Sequence, residues 1–337
     1  MAKSKAMRMV GVDVSAACLD GAGAASDEAV ETKQWPNTAA GHRQLARWVT
    51  RGGRPARVVL EATGLYSLDV ALALQRTPGI AVMVVNPRVS KDFAGACGQR
   101  ARTDATAAAV LREFAARMPF VAWEPPSAAA RALQAVMRRV AALGAMRVQE
   151  QNRFHAVSAT TALPAAVRAD LREHIRTLGR RIAKLEREAL ALVEAAPALR
   201  AAYRHLRSVK GIGQRSALAI LGEVGVLPPA LTVRQWVAQA GLDPRPIRSG
   251  SSVHPPVRIS KRGNGHFRRV LFMPALVASR RNPAVQRFAM DLAAQGKAPL
   301  QVLVAVMRKL LHAIYGMLKT DTDFDGKKFR RSVPTAA

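Results

Sequence analysis

Residues 7–15 read MRMVGVDVS, an apolar, β-branched run that closes on an acid. A short run of this kind fits a strand buried on both faces. Such a strand is a costly place for a carboxylate, because desolvation disfavours the charged form unless a cation or hydrogen-bond donors compensate. Taken alone, Asp13 also admits the plainer reading of a turn former at a strand end. What separates the two readings is whether the fold brings other acids beside it.

Two further acids have the right placement. Residues 57–63 (RVVLEAT) form another buried apolar strand that ends in Glu61. Between the two strands, 17–25 and 30–35 read as short strands of an antiparallel meander, and 39–50 has helical spacing through His42, Leu45, Ala46 and Val49. Helix 65–75, strand 80–85 and a helix opening at 87–96 follow, so a mixed sheet covered by helices is predicted. The Ala-rich stretch 102–117 has strong helix propensity and carries Asp104 in its first turn, where the helix dipole favours an acid. With Asp13 and Glu61 it makes a candidate carboxylate cluster. Oxygen ligands of this kind suit Mg²⁺, and two such ions about 4 Å apart stabilise both oxygens of an in-line phosphoryl displacement.

Pro125 and Pro126 mark a boundary, giving a first domain over 1–125. Over 126–200 the chain is rich in Ala, Leu, Arg and Glu, and Leu171, Ile175, Leu178, Ile182, Leu185, Ala189 and Leu192 follow a heptad seam. This predicts a helical hairpin or coiled coil that dimerises the protein or spaces its neighbours. A third domain spans 201–320, and a polar, disordered tail is expected over 321–337.

The net charge of +29 calls for a polyanionic partner, nucleic acid before an anionic membrane. Residues 201–337 hold 23 Lys and Arg against 6 Asp and Glu, which suits a folded binding surface. Within them VKGIGQR resembles the turn of a helix-hairpin-helix motif, with Lys210, Gly211, Gly213 and Arg215 placed to grip phosphate. A long loop rich in Ser, Gly, Pro and Arg follows, of a kind that is usually functional inside a compact domain. Arg248, Lys261, Arg262, Arg268 and Arg269 are its candidate phosphate contacts. Cys18 and Cys97 suggest neither a disulfide framework nor a zinc site. The apolar residues of 300–318 keep helical spacing around Arg308, Lys309 and His312, which indicates a packed amphipathic helix rather than a membrane span. A cytoplasmic protein without a signal segment is expected.

The order GVDVS, LEATGLY, RTD, a helical hairpin, VKGIG, AGLDP, RSG and ISKRGN resembles the DEDD insertion-sequence transposases, bridge-RNA-guided recombinases related to Piv-type DNA invertases. The resemblance runs from about residue 7 to 318. It implies an α/β plus α protein: a RuvC-like domain of RNase H type, a helical hairpin, and a mainly helical C-terminal transposase domain. It implies that Asp13, Glu61 and Asp104 are catalytic metal ligands for Mg²⁺ at two sites, and that Ser249 is the nucleophile joined covalently to DNA. Donor and target DNA, a structured guide RNA and a homo-oligomer, dimer or tetramer, are the implied partners. A Piv-type invertase and a non-catalytic DNA- or RNA-binding homologue are the alternatives.

One position departs from the family pattern. The third acid is followed there by a fourth Asp three residues on, on the same helix face, whereas this chain has Ala107. The expected consequence is one weakened metal site and reduced strand cleavage with nucleic-acid binding kept. Ala107 reads either as a natural inactivation or as a substitution that traps a complex before cleavage, and the otherwise intact motifs favour the second.

Overall fold

The computed structural model describes residues 6–24, 29–99, 103–246 and 257–330, with the backbone alone at Asp104, Ala105 and Arg330. The chain divides into two compact units, Met1–Pro125 and Pro126–Ala337.

The first unit is built on a five-stranded mixed sheet. Strand β1 (Arg8–Val14) leads into β2 (Cys18–Ala24) and β3 (Glu31–Pro36), then helix α1 (Ala39–Val49), β4 (Ala56–Glu61), α2 (Leu68–Gln75), β5 (Ile80–Val85), α3 (Pro87–Ala96) and α4 (Asp104–Arg117). The spatial order is β3-β2-β1-β4-β5, with β2 antiparallel to β1 and β3, and β4 parallel to β1 and β5. This mixed sheet is consistent with an RNase H-like α/β domain. The meander and the alternating helices agree with the sequence pattern, and the first strand takes the central place in the sheet.

Alternation along β1 sorts its residues between two cores. Val10, Val12 and Val14 join Val58, Leu60, Leu45, Val49, Val70 and Leu74 on the face covered by α1 and α2. Met9 and Val59 face the other way, toward Leu111, Phe114 and Ala115 of α4. Gly11 lies on that second face, and a Cβ there would stand 2.1 Å from the Ala108 carbonyl oxygen and 2.3 Å from the Arg112 amide nitrogen. The missing side chain is therefore what lets the backbone of α4 rest on the strand. The start of α4 is fixed by Thr103, whose hydroxyl accepts from the Thr106 amide while the Thr106 hydroxyl accepts from the Thr103 amide.

The second unit is helical. A long hairpin of α5 (Ala128–Ser158) and α6 (Ala165–Ala195) is followed by α7 (Pro197–Ser208), α8 (Gln214–Val224) and α9 (Val233–Gln239). A two-residue ladder of β6 (Pro244–Arg245) and β7 (Arg258–Ile259) comes next, then α10 (Gly265–Arg281), α11 (Pro283–Ala294), α12 (Pro299–Thr320) and α13 (Gly326–Arg330). Leu178, Ile182 and Ala189 of the heptad seam are buried with Leu133, Met137, Val140 and Leu143 of α5 in one core that continues through α8, α10 and α12. The inner part of the seam thus serves the chain's own hairpin.

Helix α12 is long and apolar enough by composition to cross a membrane. Here it buries Val306, Met307, Leu310, Leu311, Ile314 and Met317 in the core. Where the sequence suggested a disordered tail from residue 321, residues 321–330 continue the packing. Phe329 joins the core and Phe324 its margin, and His205 of α7 bonds Asp321 at 2.9 Å and Asp323 at 2.7 Å.

Candidate active site

Strands β1 and β4 run parallel with Val12 opposite Leu60. Asp13 and Glu61 are the next residues of each strand, so alternation turns both carboxylates to the face that α4 covers. Both are half-buried at the carboxyl end of the sheet. They line one cleft of about 380 Å³ together with Ser90, Lys91, Thr103, Thr106 and Ala107. The expected meeting of the first two acids is therefore present in the structure. Asp104 opens α4 on the same helix as Ala107, and its side chain is outside the described atoms. Among the described residues no group of three or more His, Cys, Asp or Glu gathers as a metal site.

Three supports of this cleft escaped the sequence reading. The Ser90 hydroxyl, on the first turns of α3, donates to Glu61 Oε2 at 2.5 Å and lies 2.9 Å from the Pro87 carbonyl. Its single proton goes to the nearer, charged acceptor. Lys91 on the same helix brings a cation to the rim. The signal for both was the parallel pairing of β4 and β5, which sets the start of the helix after β5 beside the end of β4.

The third support is Asn37. Its amide nitrogen donates to the Ser15 carbonyl at 2.8 Å, two residues beyond Asp13, and to the Tyr66 carbonyl at 3.2 Å, five beyond Glu61. Those two acceptors fix the amide orientation, so Asn37 Oδ1 is the acceptor for His42 Nε2 at 2.8 Å. Burial holds the His42 pKa below the ordinary 6.5, against the pull of Asp69. A neutral imidazole protonated at Nε2 satisfies this contact.

The basic candidates of the second unit have varied surroundings. Lys210, Lys261, Arg262 and Arg269 are exposed. Arg215 pairs with Glu186, and Arg268 donates to the Ala240 carbonyl at 3.0 Å. Gly213 precedes α8, whereas Gly211 packs against α10, where a Cβ would meet Ala278 at 2.7 Å. Arg248 and Ser249 lie outside the described residues. The stem of their loop is described: the Ser260 amide donates to the Asp243 carbonyl at 2.9 Å, and the Asn264 amide to the Gln239 carbonyl at 2.7 Å. Asn264 also donates to Glu223, a carboxylate only 3% exposed that Arg138 grips through two nitrogens at 2.9 Å.

Two family models match successive parts of the chain, the first extending past the first unit through α5. Residues 10–161 match a family model for DEDD transposases of the IS110 type, and residues 203–289 match one described as the transposase IS116/IS110/IS902 family. A pilin gene-inverting protein of Moraxella bovis is 27% identical over 294 residues, covering 86% of this chain and 89% of that protein. Its counterpart in Moraxella lacunata aligns over the same lengths at the same identity. An IS110 insertion-element protein of Streptomyces coelicolor is 29% identical over 143 residues, covering 42% of this chain and 34% of that protein. With two models of the family matched in order and an acidic cleft at the end of the first strand, the chain belongs to the IS110-type DEDD transposases, a family of DNA transposases and recombinases.

Proposed function

We propose that this chain is an RNA-guided DNA recombinase whose first unit acts on a phosphate in the Asp13–Glu61 cleft and whose second unit supplies Ser249 as nucleophile. The observation that carries the reading is the pair of carboxylates on one sheet face, opposite the helix turn that bears residues 104 and 107. An all-oxygen donor set at the end of a rigid sheet fits a hard divalent cation, with Asp13, Glu61 and Asp104 as its holders. When bound, Mg²⁺ neutralises charge on the transferring phosphate. Ser90 orients the Glu61 carboxylate, and Lys91 attracts the phosphate to the rim. Ser249 Oγ attacks phosphorus as the bond to one bridging oxygen breaks, the serine proton ends on that leaving oxygen as a free DNA hydroxyl, and the new protein–DNA ester keeps the bond energy for religation. Ala107 offers no oxygen, so cleavage is impaired while binding persists. The turn at Lys210–Arg215 and the exposed Lys261, Arg262 and Arg269 serve guide RNA and donor and target DNA, within a homo-oligomer.

A second reading, a Piv-type site-specific invertase, draws on the nearly full-length likeness to the Moraxella inverting proteins. Sequencing RNA that co-purifies with the protein separates the two. A single structured RNA is expected, and its absence favours the invertase. DNA matched to that RNA is then incubated with the Ala107→Asp protein and Mg²⁺. A denaturing gel should show a covalent adduct that Ser249→Ala and Asp13→Asn abolish. Absence of any adduct overturns the recombinase reading.

A further inference from the structure

The motif LEATGLY contributes Glu61 to the cleft, and its second half has no role in the chemistry above. Leu65 is 81% exposed and Tyr66 58% exposed, side by side on the loop between β4 and α2. Two adjacent large side chains at a loop tip offer an apolar and aromatic surface for a partner to cover. This loop is tied down at several points. The Thr63 amide bonds the Glu61 carbonyl at 2.9 Å and the Ser67 hydroxyl at 3.2 Å, while Ser67, itself buried, reaches back to the Gly64 carbonyl. Gly64 takes φ of 71°, a left-handed conformation that turns the chain toward the tip. Asn37 ties the Tyr66 carbonyl to the Ser15 carbonyl, so the tip is referenced to the strand that holds Asp13.

From this geometry we infer that Leu65 and Tyr66 form a nucleobase platform: a base of the DNA strand whose phosphate enters the Asp13–Glu61 cleft is unstacked and rests on the Tyr66 ring, with Leu65 as the wedge beside it. The inference rests on the cleft acting on DNA. The occupant follows from continuity, because a strand drawn to Lys91 and the acids runs past the carboxyl ends of β1 and β4, where the loop stands. Aromatic faces accept any base, and apolar wedges separate base steps. Preorganisation through Asn37 and Ser67 avoids an ordering cost when the base arrives.

The test uses the full chain in EDTA with a mixed-sequence DNA carrying 2-aminopurine, single-stranded and duplex, read by fluorescence and by affinity at fixed salt. Tyr66→Ala should weaken single-strand binding by about 10-fold and abolish stacking quench. Tyr66→Phe should keep both, and Leu65→Ala should mainly weaken duplex distortion. Both side chains are exposed, so thermal unfolding of every variant should match the parent. Unchanged affinity and quench in Tyr66→Ala and Leu65→Ala, with the parent binding well, overturns the platform alone. Failure of the parent to bind any DNA overturns the platform together with the reading it rests on. A change in oligomeric state without a change in DNA binding assigns the tip to a second copy, and loss of binding to an RNA strand but not DNA assigns it to RNA; either overturns the inference.

Discussion

Ser90 Oγ lies 2.5 Å from Glu61 Oε2 and is the only described side chain that donates a hydrogen bond to that carboxylate. Ser90 is 6% exposed, so the contact is dry on one side. Ser90→Ala should cost about 1–2 kcal/mol in urea unfolding, a hydrogen bond to a charged group discounted for the half-exposed partner. It should also raise the Mg²⁺ concentration needed for half-maximal activity, because Glu61 then has more rotamers to lose on binding. An unchanged metal requirement would separate the Ser90 contact from the site.

Gly11→Ala places a methyl group against two backbone atoms of α4, neither of which can rotate away. The expected loss is about 3 kcal/mol or more, at the upper end of overpacking costs. Helix α4 must shift, and residues 104 and 107 with it, so DNA cleavage should fall further than stability explains. Chemical denaturation beside an activity assay checks both.

Glu223 joins Arg138 on α5 to Asn264, whose side-chain oxygen also caps α10 by accepting from the His266 and Phe267 amides. Glu223→Ala leaves Arg138 and Asn264 without their acceptor. It should destabilise the second unit by about 3 kcal/mol, the lower end for a broken buried pair because Arg138 is 40% exposed. Loss of protection at the α10 amides in hydrogen exchange is the local signature.

The His205 and His42 contacts should contribute to the pH dependence of stability with opposite sign. His312 of the second unit, lowered by burial, acts in the same direction as His42. The His205 pKa stands above 6.5, raised first by the hydrogen bond to Asp323 and then by Asp321. The folded state binds that proton more tightly than the unfolded chain. Its stabilisation is therefore complete below about pH 6.5 and fades as the pH rises through the folded value. His42 is lowered by burial, so its folded form is the neutral one, and stability drains as the pH falls below 6.5. Limited proteolysis should release residues 321–330 more readily at pH 8 than at pH 6, and His205→Gln should remove that difference.

Much of the first unit was legible in the sequence because its strands are apolar runs and its turns carry Gly, Pro and Asp. The meeting of Asp13 with Glu61 followed once two strands of one mixed sheet were expected to end in acids; that the two run parallel is seen only in the structure. The supports were not legible. Asn37 reaches Ser15 and Tyr66 across 22 and 29 residues, and no local pattern marks a contact that depends on sheet order. The seam of α6 was visible as a heptad, but periodicity does not say whether the covering helix is α5 of the same chain or another subunit. The docking of residues 321–330 was missed because a polar composition hides two aromatic anchors, Phe324 and Phe329, and the His205 bridge.

Ala107 lines the cleft that holds Asp13 and Glu61, one turn into a helix whose start is fixed by the Thr103–Thr106 box. Ala107→Asp adds a carboxylate there without altering the packed face of α4, because Ala108 and Leu111, at 1% and 2% exposure, carry that contact. The added charge approaches Asp13 and Glu61, so without metal the variant should be slightly less stable, by about 1 kcal/mol for like charges near the surface. With Mg²⁺ the order should reverse, since a ligand that binds only the folded state stabilises it by mass action. Thermal unfolding with EDTA and with Mg²⁺, run on both proteins, reads the sign change directly. If Mg²⁺ raises the melting temperature of Ala107→Asp no more than that of the parent, position 107 is not a metal-ligand position, and any reduced cleavage must arise elsewhere.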